Sequence, residues 1–206
     1  MTISSSRRGA LLLGAVAWLG FAASSQAQNT GRFAQQSRIG LDLVEKGKYQ
    51  QAINVLEEIW EQDQSDPAIA ENLGICYLYG ESDDVTAAKY MDKAIALGGR
   101  ASFLMQHAHE KLGKLSGGEI SDYCTGRMSI YRDHLAFTSS VPGHSFVIPA
   151  GEFLEIKTNR VFGKATGAYH IKTLDKKNYN LRPKTWSDVE TRLFLKMVEQ
   201  YISRKK

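Results

Sequence analysis

Two periods of apolar spacing divide the chain. From Ile39 to Gly99 the apolar side chains recur three and four residues apart, and from Tyr123 onward they alternate. The first period predicts helices and the second predicts half-buried strands. Ile39 to Glu61 reads as two short helices folded back on each other, and Glu71 to Gly99 reads the same way. Ala101 to Leu112 is expected to add a helix that caps the stack, so the front half holds about five helices. Six strands are then marked by apolar pairs: Met128/Ile130, Leu135/Phe137, Phe146/Ile148, Leu154/Ile156, Tyr169/Ile171 and Tyr179/Leu181. A last helix opens with Ser187-Asp188-Val189-Glu190. In such a capping box Ser187 and Glu190 satisfy each other's exposed backbone donors. Its apolar residues, Leu193, Phe194, Met197, Val198, Tyr201 and Ile202, give it a face that must be buried. The fold class expected is α+β, helical hairpins followed by a small antiparallel β-sandwich or barrel with a C-terminal helix.

Charge changes the picture by marking a boundary. Gln28 to Leu115 carries 9 Lys/Arg against 13 Asp/Glu, net −4, whereas Ser116 to Lys206 carries 15 against 9, net +6. Ser116-Gly117-Gly118 lies at the change and predicts a flexible junction, with a helical unit over 33–114 and a β unit over 121–206. At the N-terminus, Arg7-Arg8 precede an apolar run from Gly9 to Ala23, then Ser24-Ser25-Gln26-Ala27. This is the pattern of a secretory signal over 1–27 cleaved after Ala27, and it predicts a periplasmic or secreted protein. An uncleaved anchor is the alternative, although the run is shorter than the ~20 residues that span a bilayer. Export makes a Cys76–Cys124 bridge chemically available. Cys76 nevertheless follows Leu73 on one helix face and Cys124 fits an inward strand position, so two buried thiols in separate cores are expected.

The helical half carries a family resemblance. With Ala52 at the small-residue position of a second helix, Gly47 and Tyr49 fall at the inter-helix glycine and aromatic positions of the tetratricopeptide repeat, and Gly40 at its close-packing position. Leu73-Gly74, Tyr77, Gly80, Ala87, Met91 and Ala94 repeat the pattern, with one residue inserted around Glu81 to Asp84. Phe33 to Leu112 therefore resembles tetratricopeptide repeats and, in its longer turn, the Sel-one-like repeat. The resemblance implies a scaffold that recognises a protein or peptide. Gly40, Tyr49, Ala52, Gly74, Tyr77, Ala87 and Ala94 are its packing residues. The small ones let helices approach and the large ones fill the gaps.

The second half carries another. Gly126-Arg127-Met128-Ser129-Ile130, His134-Leu135-Ala136-Phe137 and Phe146-Val147-Ile148-Pro149, with the closing helix, resemble the pleckstrin-homology-like superfold, particularly its bacterial and GRAM-type members. Some relatives bind phosphoinositides through a basic loop between the first two strands. Here that connection is the tight Arg132-Asp133 turn without a Lys/Arg cluster. A different candidate anion-binding patch is formed by His170, Lys172, Lys176, Lys177 and Arg182, which would meet phosphates or carboxylates of an anionic lipid or polyanion. A solvated basic face that blunts an edge strand is the competing account.

Catalytic patterns do not close. Gly143-His144-Ser145-Phe146-Val147 begins like a nucleophile elbow, but Val147 stands where the final glycine belongs. Gly163-Lys164-Ala165-Thr166-Gly167 lacks the spacing of a phosphate loop. His107 and His109, placed on the expected fifth helix, would point in different directions, so no metal site is expected there. No catalytic residue, cofactor or nucleic-acid partner is expected, and the function expected is non-catalytic binding.

Overall fold

The computed structural model describes residues 33–115, 118–161, 164–185 and 187–203. Residues 33–45 form the first helix, α1. It is followed by α2 (Tyr49–Gln62), α3 (Pro67–Cys76) and α4 (Asp84–Ala96). Seven strands come next: β1 (Ala101–Leu115), β2 (Gly118–Ile130), β3 (His134–Ser139), β4 (Phe146–Pro149), β5 (Phe153–Val161), β6 (Lys164–Thr173) and β7 (Asn178–Pro183). Helix α5 (Asp188–Tyr201) ends the described chain. The signal-like segment over 1–27 lies outside the described residues, and no described helix is long and apolar enough to cross a membrane.

The small residues of the helical half do what their spacing predicts. Ala52, Ala87 and Ala94 are fully buried. A Cβ on Gly40 would run into Leu56, and one on Gly74 would meet Met91 Cγ at 2.6 Å. The missing side chains therefore make room for Leu56 and Met91 of the partner helices. Tyr77 stacks on Tyr90 with ring centroids 5.6 Å apart, and Tyr49 lies 6.0 Å from Tyr79. The inserted residue is absorbed by a single π-helical turn, Tyr77–Glu81, that continues α3, the usual way a helix accommodates one extra residue. Ser82 then turns the chain in the left-handed region, and the Asp83 carboxylate accepts from Val85 and Thr86 N–H to start α4.

The expected fifth helix is instead β1, the longest strand. Ala101, Phe103 and Met105 turn inward, yet Ser102 on the opposite face is just as buried. Both faces of this strand are covered, so the polar–apolar alternation that marks a one-sided strand is missing. Phe103 meets Phe194 of α5 edge-on at 5.2 Å, while the Ser102 hydroxyl donates to Glu71 of α3. The helix-to-strand change thus falls at 97–100. Ser116 and Gly117 of the expected junction lie outside the described residues, and the strands on either side of them, β1 and β2, pair with each other.

All pairings are antiparallel, in the order β4-β3-β2-β1-β7-β6-β5. The six expected strands are present. Leu154, expected to point inward, is 54% exposed, because a bulge between Phe153 and Glu155 reverses the alternation and leaves Ile156 on the buried side. Cys76 and Cys124 are both buried and unbridged. The core around them is continuous from the helices through the sheet to α5, not two separate cores.

Half of the expected capping box forms. Ser187 Oγ accepts from Glu190 N–H, but the Glu190 carboxylate turns away and accepts from the hydroxyls of Tyr79 and Thr185. Tyr79 O in turn accepts from Leu104 N–H at 2.7 Å. This buried chain of hydrogen bonds ties the π turn, β1 and α5 together.

Candidate functional site

Three surfaces were marked by the sequence or are offered by the fold. The first is the basic face. The alternation of β6 and β7 does place His170, Lys172 and Arg182 on one side, with Lys176 and Lys177 at the turn beside them. Their charges are largely engaged within the protein. Lys172 Nζ lies 3.3 Å from Glu155, and Lys177 Nζ lies 2.9 Å from Asp175. Arg182 donates to Gln106 and its guanidinium sits 3.9 Å over the Tyr123 ring. Hydrogen bonding from Thr173, with Lys177 adding to it, holds the Asp175 carboxyl down at about 2, so this counter-charge persists at all ordinary pH values. Arg132 of the β2–β3 turn is spent on the carbonyls of Ile95 and Ala96 at the end of α4.

The second surface is the helical repeat. Helix α3 is buried at every position from Ile69 to Cys76. Glu71 accepts from Arg100 at 2.9 Å and from Ser102, and its carboxylate also lies 3.7 Å from Arg127 of β2. The inner side of the helical pair is thereby committed to the sheet. What stays open is elsewhere: a groove of about 1000 Å³ between edge strand β5 and helix α5, with an apolar wall of Phe153, Leu154, Ile156, Leu174 and Leu195 and a charged rim of Glu155, Lys157 and Glu199. Leu154 and Leu174 are 54% and 61% exposed in its wall. The sequence hid this groove because the bulge in β5, not the spacing, turns Leu154 outward.

The third is a cluster that the helical reading of 101–112 concealed. On a strand, residues two apart share a face, so His107 and His109 come together, and the register sets His107 opposite Cys124. Their ligating atoms all lie within 4.8 Å of one another. His144, from the turn before β4, brings its ring to 4.1 Å from that of His109. Burial, with the rings of His109 and His144 adding to it, pushes His107 down to about 4, which keeps it neutral at pH 7. Phe137, Phe146 and Tyr179 pack around it at 5.0–6.2 Å between ring centroids. The residues expected to hold no metal are therefore the described residues best arranged for one.

No family model matches this chain, and no curated protein matches it. Among solved structures it is similar to the C-terminal domain of an unknown protein from Leishmania infantum, with 17% identity over 50% of this chain and 82% of that one, TM-score 0.36. It is also similar to human RhoA in complex with the DH/PH fragment of PDZRHOGEF, with 12% identity over 78% of this chain and 54% of that one, TM-score 0.38. The chain is an α+β protein in which helices precede a seven-stranded antiparallel sheet and a final helix packs back on it.

Proposed function

We propose that this chain is an exported, non-catalytic binding protein that recognises an extended peptide segment of a partner protein. The observation that carries this is the open groove between β5 and α5. Strand β5 is the last of its sheet, so one row of its backbone donors and acceptors faces outward beside the groove's apolar wall. An added peptide strand would hydrogen-bond that row and seat alternate side chains against Leu154, Ile156 and Leu174. The tetratricopeptide-like hairpins, from whose resemblance recognition of a protein or peptide was expected, take the scaffolding part in this reading, their inner face bracing the sheet. Seven antiparallel strands and a closing helix support the pleckstrin-homology-like reading of the second half. Export rests on residues 1–27 alone.

Binding to anionic lipid or polyanion is the second reading, and the shared face of His170, Lys172 and Arg182 supports it. The ion pairs to Glu155 and Asp175 reduce the charge it offers. Panning a random-peptide library against the mature chain tests the first reading. Enrichment of sequences with alternating apolar residues, lost in Leu154→Asp and Leu174→Asp, is expected. No enrichment, or binding indifferent to both substitutions, overturns it. Adsorption to anionic vesicles that weakens steeply with salt would move the function to the basic face.

A further inference from the structure

We propose that His107, His109, Cys124 and His144 form a metal site for a zinc-class divalent ion. Three strand-level facts build it. His107 and Cys124 are directly paired across β1 and β2. His109, two residues along β1, shares the face of His107, with their ring centroids 5.0 Å apart. The loop between β3 and β4 closes over the cluster and delivers His144.

The chemistry of the donors selects the ion. Nδ1 of His107, Nε2 of His109 and Nδ1 of His144 are buried and have no hydrogen-bond partner. Each such atom costs about 1–3 kcal/mol when left unsatisfied, and three within one cluster is a costly arrangement for plain packing. A single cation satisfies all three. One thiolate and three imidazoles make a borderline-soft set that suits Zn²⁺ in tetrahedral geometry and offers no oxygen for Ca²⁺ or Mg²⁺. With bonds of about 2.0–2.3 Å, the donors of His107, His109 and Cys124 must stand closer together around such an ion than their present limit of 4.8 Å, and His144, whose ring lies 4.1 Å from that of His109, must turn its Nδ1 toward them.

Four protein donors leave no open position, so the ion is structural. It clips the β1–β2 hairpin to the β3–β4 loop at the edge of the core, where Phe137, Phe146 and Tyr179 exclude water. On binding, the Cys124 thiol loses its proton to solvent as the sulfur–metal bond forms, so affinity rises with pH.

The test uses the full mature chain, stripped with a chelator and titrated with Zn²⁺ and with Co²⁺. The expected result is one ion per chain, with the d–d bands of tetrahedral Co²⁺, a thiolate-to-cobalt charge-transfer band in the near ultraviolet, and a raised Tm. Cys124→Ser abolishes the charge-transfer band, and His109→Ala weakens Zn²⁺ binding at least tenfold, on the order seen when metal sites lose a supporting group. His170→Ala, on the opposite face of the sheet, leaves both unchanged. Circular dichroism of the variant at the half-buried His109 separates loss of a ligand from loss of the fold. Failure to bind a stoichiometric ion, an octahedral cobalt spectrum, or a charge-transfer band that survives Cys124→Ser would overturn the site. Cu²⁺ displacing Zn²⁺ while keeping the same ligand dependence upholds the site and changes only its preferred ion. None of these outcomes depends on peptide binding at the distant groove.

Discussion

Glu190 is 1% exposed where α5 meets the helices, and burial pushes its carboxyl up to about 7 despite hydrogen bonds from Thr185 and Tyr79. A carboxyl whose folded value is raised holds its proton more tightly when folded. Stability is therefore highest below the ordinary glutamate range and falls as pH rises toward 7, by at most about 1.4 kcal/mol per pH unit. Urea midpoints measured from pH 5 to 7.5 should show this slope, and Glu190→Gln should flatten it. A slope that persists in the variant would place its origin elsewhere. Gly126 is a second residue-scale case. A Cβ there would press on the Phe137 ring at 2.6 Å and on the Thr138 carbonyl, so Gly126→Ala should cost about 1–3 kcal/mol by overpacking. The glycine was visible in the sequence, but the backbone crossing it was not, because its neighbours come from another strand.

At the scale of elements, local signals and long-range covering separate cleanly. Ser187 caps α5 as its position before an acidic, apolar-periodic run predicts. Ser187→Ala should lower stability by about 1 kcal/mol, read from the thermal midpoint, and should leave β-sheet circular dichroism unchanged. The strand β1 failed to announce itself because Leu104, between Phe103 and Met105, breaks the alternation that Ser102 begins, and because Ser102 is covered by α3 and is as buried as Phe103. That single error also hid the histidine cluster. Spacing of two residues separates side chains on a helix and aligns them on a strand, so the secondary structure decided the chemistry. In β5 the bulge after Phe153 exposes Leu154. As an exposed side chain, Leu154→Asp should change stability by no more than about 0.5 kcal/mol while removing peptide binding at the groove. A large loss of stability would mean that Leu154 is structural.

The whole molecule is joined by Glu71. Its carboxylate is buried, while Arg100 and Arg127 remain partly in water at 40% and 34% side-chain exposure. Removing the acid leaves cations that can hydrate, so Glu71→Ala should cost about 1–3 kcal/mol, less than stranding a fully buried charge. A double-mutant cycle with Arg100→Ala should show coupling above ~0.5 kcal/mol. Additive losses would mean that the pair does not hold helices to sheet. The continuous core makes the same point in apolar terms: Met91 and Ile95 of α4, Phe103 and Met105 of β1, and Phe194 and Met197 of α5 belong to one cluster.

The sequence by itself determined the helical hairpins, six of seven strands, the capped last helix and the close-approach glycines and alanines. Each depends on residues within a few positions of one another. Only the tertiary structure decided that 101–115 is a strand, that the helical face is covered, that a groove opens beside β5, and that three histidines and a cysteine converge. Those features depend on which surfaces meet across long sequence separations. Burial on both faces erases the local pattern by which a strand would otherwise be recognised.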